Sequence, residues 1–84
     1  MTNIVIYGRT NCKFCTDAKT LCEMNGFKYE WKDVSKPELK EELVYFVPNA
    51  KTIPQIFVNN KYIGGYDRFS EYVQQNMKEY GKLD

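Results

Sequence analysis

The chain has 84 residues, 12 basic and 11 acidic, for a formal net charge of +1. That length suits one small domain, so residues 1–84 are read as a single unit. The near-neutral balance excludes a general nucleic-acid or lipid-surface binder, which carries a marked basic excess.

No apolar run approaches a membrane span, and the first residues lack a charged segment leading into an apolar signal. The expectation is a soluble, cytoplasmic monomer with no nucleic-acid or membrane partner. Three cysteines and no histidine narrow the chemistry. An odd count is a poor disulfide framework. A four-ligand structural zinc would need a carboxylate or a second chain. A Cys-His protease lacks its base.

The first apolar run, Ile4-Val5-Ile6-Tyr7, reads as a strand buried on both faces. Gly8 to Asn11 is turn material. A helix begins at Lys13 with Ala18, Leu21 and Cys22 on one face, and Asn25-Gly26 stops it. Phe27 to Asp33 alternates aromatic and charged residues, as a strand with one buried face does. Ser35-Lys36-Pro37-Glu38 reads as a capping box with Ser35 as N-cap, opening a helix that carries Leu39, Leu43 and Phe46. Ile56-Phe57-Val58 and Lys61-Tyr62-Ile63 are strands around Asn59-Asn60, a pair that tolerates positive φ. The last helix carries Phe69, Tyr72, Val73, Asn76, Met77 and Tyr80 on one face. The order β-α-β-α-β-β-α predicts an α/β fold: a mixed four-stranded sheet with helices on both faces and a right-handed first crossover.

The chemistry concentrates in Cys12-Lys13-Phe14-Cys15, between the first strand and the first helix. Unpaired backbone N–H groups at a helix start favour negative charge, and the thiolate is the nucleophilic form of cysteine. Cys12, the more exposed of the pair, is therefore the expected nucleophile, with Arg9 and Lys13 adding positive potential. Cys15, one turn further in, would resolve a mixed disulfide. A metal pair or two incidental cysteines is the alternative. Cys22 falls on the apolar stripe and reads as packing. By sequence alone Pro54 in Thr52-Ile53-Pro54 is expected trans. Gly64-Gly65-Tyr66-Asp67 leads to a helix start, either an anion site or a plain turn capped by Asp67.

Taken together, Gly8 through Cys15, Thr52 through Val58 and Ile63-Gly64-Gly65-Tyr66 resemble glutaredoxin in order and spacing over nearly the whole chain. The resemblance implies a thioredoxin-like fold and a glutathione-dependent dithiol–disulfide oxidoreductase with Cys12 and Cys15 as its redox pair. It implies a cis bond before Pro54, facing the cysteines. Glutathione, a co-substrate rather than a permanently bound cofactor, would lie across the site as an extended peptide. Ile53 would pair with its cysteinyl backbone, Gly65-Tyr66-Asp67 would hold its γ-glutamyl end, and Arg9 with Lys51 would meet its glycine carboxylate. Thr52, Phe14 and Lys13 complete the expected glutathione site, and no metal site is expected.

Related chains often read C-P-Y-C, so Lys13 and Phe14 are departures, as is Asp67-Arg68 where Thr or Ser followed by Asp is common. The implied clients are disulfide-containing proteins, with ribonucleotide reductase among them. Two rival readings are a carrier that holds a [2Fe–2S] cluster between two glutathione-bound chains, and a thioredoxin-like reductant served by a flavoprotein reductase. The second thiol and the charged Lys13 speak against the carrier.

Overall fold

The computed structural model describes residues 2–77. Four strands, β1 (Asn3–Gly8), β2 (Lys28–Asp33), β3 (Gln55–Val58) and β4 (Lys61–Gly64), form one sheet in the order β2-β1-β3-β4. β1 pairs parallel with β2, and antiparallel with β3, which pairs antiparallel with β4. The helices are α1 (Lys13–Met24), α2 (Pro37–Phe46) and α3 (Tyr66–Tyr72), and α3 runs on into a π-helical turn, Val73–Met77. The mixed four-stranded sheet expected from the element order is observed, in the thioredoxin-like arrangement that the family resemblance implied.

The strand alternation sorts side chains to two faces. Ile4, Ile6, Ile56 and Val58 pack with Ala18 and Cys22 of α1 and with Phe69 and Val73 at the other end of the chain. Tyr7 faces the opposite side with Val34 and Leu43, flanked by Val5, Ile53 and Phe57. One face therefore carries α1 and α3, and the other carries α2. Tyr7 Oη donates to Glu42 Oε2 at 2.6 Å, and Lys32 Nζ pairs with the same oxygen, tying α2 to β1 and β2. Both contacts hold the Glu42 carboxyl below its ordinary range, Lys32 the more strongly.

Two expected helix starts are corrected. Ser35 does not cap α2: its N–H and hydroxyl both donate to Asp33 Oδ1, at 2.9 and 2.8 Å. Pro37 takes the first helical position, so Lys36 is the N-cap and bonds through no side chain. Glu38 is then one position too early to reach back as a capping-box residue. Likewise Gly65, not Asp67, is the N-cap of α3, with Asp67 in its first turn. Asn76 is a third correction. It is exposed, and its amide donates to Tyr72 O at 3.1 Å, because the π-helical turn breaks the 3.6-residue spacing. Tyr80 lies outside the described residues. Asn59 and Asn60 adopt φ 51° and 67°, as the hairpin reading requires.

Candidate active site

The end of β1 and the start of α1 place the two cysteines. Cys12 is the N-cap of α1, extended at φ −117° and ψ 119°, with its carbonyl already accepting from Thr16 N at 3.0 Å. Its sulfur accepts from the backbone N–H of Cys15 at 3.2 Å. The cap position thus points the sulfur at one of the unpaired helix donors, and no acidic residue in the first turn opposes negative charge there. Cys12 is half-buried, whereas Cys15 is fully buried beneath it. Burial, followed by the neighbouring Cys12 sulfur, pushes the Cys15 thiol up to about 12. In the reduced protein the two thiols are therefore unequal, one reachable and one held protonated.

Gly8 makes that packing possible. A Cβ at this position would stand 2.6 Å from Cys15 Sγ and 2.9 Å from the edge of the Trp31 ring. The inner thiol and the single tryptophan of the chain thus close over a position that admits only hydrogen. Lys19 Nζ lies over the other part of this wall, 4.2 Å from the Trp31 ring centroid.

The loop before β3 faces Cys12 from the opposite side. The Ile53–Pro54 bond is cis, as the family resemblance implied and the sequence alone did not. The Cys12 thiol points at the Ile53 carbonyl, 3.8 Å away. This loop is held from behind by Gln55, which is 5% exposed. Its Nε2 donates to Thr52 O at 2.9 Å, and its Oε1 accepts from Tyr62 Oη at 2.5 Å. A buried amide with both ends bonded fixes the Thr52 carbonyl, one residue before the Ile53 carbonyl that the thiol faces.

Two open depressions flank Cys12. The first, about 430 Å³, has Phe14, Thr52 and Pro54 on one side and Gly65, Asp67 and Arg68 on the other. Its aromatic wall is Phe14 stacked on Tyr66, ring centroids 5.9 Å apart and planes 24° from parallel. Gly64, just before that rim, sits at φ +125°, a conformation that L side chains rarely adopt. The second depression, also about 430 Å³, includes Cys12 itself, with Arg9, Asn11, Asp33 and Ile53. Asp33 tempers the charge of Arg9 there; hydrogen bonds from Ser35 hold its carboxyl below the ordinary range, with Lys36 and Arg9 adding to the effect. Lys51 lies beyond it, beside Arg9 and Thr52.

The structure thus gathers Arg9, Cys12, Phe14, Lys51, Thr52, Ile53, Pro54, Gly65, Tyr66 and Asp67 around one strip of surface, with Cys15 under it. Lys13 is the exception. Its Nζ pairs with Asp17 at 3.1 Å, one turn along the helix, and the side chain lines neither depression. The same Nζ lies 6.0 Å from the centroid of the Phe14 ring. Arg68 was not among the expected residues, although its place three after the Gly65 cap directs it back to the helix start. Gln55 was legible only as the residue following Pro54. Among the described residues no three His, Cys, Asp or Glu side chains converge as a metal site, and no helix is long and apolar enough to cross a membrane.

A parallel β-α-β unit with a helix-capping cysteine, a buried partner and a cis-proline loop opposite defines a thioredoxin-like thiol–disulfide oxidoreductase. The glutaredoxin family model matches residues 4–63. Glutaredoxin 1 of Escherichia coli K12 is 36% identical over 80 residues, covering 87% of this chain and 94% of that protein. The structure of reduced Escherichia coli glutaredoxin aligns with a TM-score of 0.77 at 35% identity, over 90% of this chain and 98% of that one. A buckwheat glutaredoxin–glutathione complex aligns in fold with a TM-score of 0.74 at 23% identity, over 88% of this chain and 70% of that one. The chain belongs to the glutaredoxin family, and its activity is that of a glutathione-dependent thiol–disulfide oxidoreductase.

Proposed function

We propose that the chain acts as a single, monomeric cytoplasmic domain that reduces protein disulfides and glutathione mixed disulfides with electrons from glutathione. The observation that carries this reading is the unequal pair: Cys12 at the helix cap, accepting the Cys15 N–H, and Cys15 buried beneath it. Cys12 thiolate attacks one sulfur of a client disulfide. A Cys12–client disulfide forms, and the other client sulfur leaves as thiolate and takes a proton. Cys15 then loses its proton and attacks the Cys12 sulfur. The client leaves fully reduced, having gained the two electrons that the Cys12–Cys15 dithiol loses as it becomes a disulfide. One glutathione thiolate attacks Cys12 of that bond and returns Cys15 to the thiol. A second attacks the glutathione sulfur, releasing oxidised glutathione and Cys12 thiolate.

Glutathione spans the two depressions. Its γ-glutamyl end lies against Gly65, Tyr66 and Asp67, its cysteinyl backbone beside Ile53, and its glycine carboxylate at Arg9 and Lys51. Thr52, Pro54 and Phe14 form the walls. A ligand with two carboxylates suits two separated polar rims better than one. The buckwheat complex with glutathione supports a peptide of this kind on the same fold. Clients are disulfide-bearing proteins, ribonucleotide reductase among them.

Cys15→Ser should retain activity on glutathione mixed disulfides, where Cys12 alone suffices, and lose reduction of protein disulfides. Retention of either activity by Cys12→Ser overturns the assignment of the attacking thiol. Turnover with glutathione against turnover with a flavoprotein reductase identifies the electron source.

A further inference from the structure

Lys19 is a half-buried cation that is in no ion pair among the described residues. It follows Cys15 by one helical turn, on the same face of α1. Its Nζ rests 4.2 Å from the Trp31 ring centroid, so an aromatic face takes the place of a carboxylate. The six-membered edge of that ring reaches the buried thiol. Cys15 Sγ and Trp31 Cη2 stand 2.6 and 2.9 Å from the same point, where a Gly8 Cβ would be. Cation, ring and inner thiol thus form one packed row.

After burial, two side-chain charges set the ionisation of Cys15, and they oppose each other. The Cys12 sulfur disfavours the thiolate, whereas Lys19 favours it, together with the Arg9 backbone N–H. Other charged groups nearby are engaged elsewhere. On α1, Asp17 pairs with Lys13 and Glu23 accepts from Tyr29. On β2, Asp33 accepts from Ser35, and Lys32 pairs with Glu42 on the α2 side of the sheet. From α3, Phe69 packs into the core, while Asp67 and Arg68 line the depression beside Phe14.

We propose that Lys19 is a positioning residue of the resolving step, holding on Trp31 the positive charge that stabilises the Cys15 thiolate as it attacks. The proposal rests on Cys12 as the attacking thiol and Cys15 as the resolving one. Once Cys12 is tied in a mixed disulfide its sulfur is neutral, so the opposing charge disappears and the ammonium remains. Cys15 yields its proton to water or buffer base, and its thiolate forms the bond to Cys12 Sγ. The outgoing thiolate keeps the electron pair of the broken disulfide. Lys19 stays protonated throughout. Its effect belongs to this step, where negative charge must form inside the fold and attraction is less screened than in water.

The test mixes the full reduced chain in stopped flow with one equivalent of the disulfide of thionitrobenzoate. The first thionitrobenzoate released reports attack by Cys12, and the second reports attack by Cys15 on the mixed disulfide. Lys19→Met keeps an unbranched stem on Trp31 without the charge, and Lys19→Arg keeps both charge and ring contact. Lys19→Met should slow the second release about three- to tenfold near neutral pH, and its rise with pH should move up by about 0.5–1. The first release should stay within about twofold, and Lys19→Arg should restore the second. Lys19→Gln, uncharged but polar, should match Lys19→Met. A second release unchanged in both uncharged variants overturns the proposal. So does a loss that Lys19→Arg does not restore, or one that falls equally on both releases, since either marks a structural role. A wild type that releases only one thionitrobenzoate would instead defeat the dithiol reading itself, so the two failures are distinguishable.

Discussion

Replacing Gly8 by alanine tests the packing that sets the two thiols apart. The new Cβ would stand 2.6 Å from Cys15 Sγ and 2.9 Å from Trp31 Cη2, where ordinary contact begins at 3.4 Å. The sulfur must therefore retreat by roughly 0.8 Å and the ring edge by roughly 0.5 Å, unless the strand itself moves. Cys15 is fully buried, so the sulfur cannot swing into solvent. Overpacking of this kind costs about 1–3 kcal/mol, which in a domain of this size lowers Tm by about 5–20 °C.

The same shift moves Cys15 off its line to Cys12, and a displacement near 1 Å can cost up to about 100-fold in rate. Reduction of protein disulfides, which needs Cys15, should fall more than reduction of glutathione mixed disulfides, which does not. Thermal unfolding followed by the emission of Trp31, the one tryptophan, reports the first effect. Parallel turnover assays report the second. In a Cys15→Ala background the 2.6 Å contact is gone, so Gly8→Ala should be milder by at least about 0.5 kcal/mol. A Gly8→Ala protein within about 0.5 kcal/mol of wild type, with the two activities in their original ratio, would refute the reasoning.

Two further outcomes are expected. Burial pushes the Cys22 thiol up to about 12, with Glu23 adding to it, so above about pH 9 the unfolded chain releases a proton that the folded chain keeps. Stability is fully present below that pH and is lost as pH rises, by about 1.4 kcal/mol per unit for such a thiol. Urea unfolding under reductant, from pH 8 to about pH 10.5, should give a slope shallower by that amount in Cys22→Ala; an unchanged slope argues against burial as the cause. Tyr62→Phe leaves the buried Gln55 carbonyl without its donor, at a cost of about 1–3 kcal/mol, and loosens the Thr52–Pro54 loop. KM for glutathione should then rise several-fold with kcat little changed, and steady-state kinetics with no change in KM would remove Tyr62 from the support of that loop.

The helical starts show where sequence reasoning failed and why. A capping box at Ser35 and Glu38 fits the residue types, but Pro37 claims the first helical position and moves the frame by one residue. Lys13 was read as a charge beside the sulfur because it adjoins Cys12, yet helical geometry offers it Asp17 four residues on. The capping-box error comes from matching residue types without the frame that Pro37 sets.

Local rules were enough for much of the rest. Apolar runs, turn residues and helical spacing determined the order of strands and helices, and hence the parallel β1–β2 crossover that puts Cys12 at a helix cap. The C-x-x-C spacing determined which two thiols can act as a pair, because residues one turn apart share a helix face. The tertiary structure alone decided how those thiols differ. Cys15 is held protonated by burial under Gly8 and against Trp31, residues from two different strands. Lys40 was equally hidden: the family resemblance brought Arg9 and Lys51 together, and only the fold sets Lys40 in the same depression. Such features depend on which distant segments the sheet brings together, and no local pattern in the chain encodes that meeting.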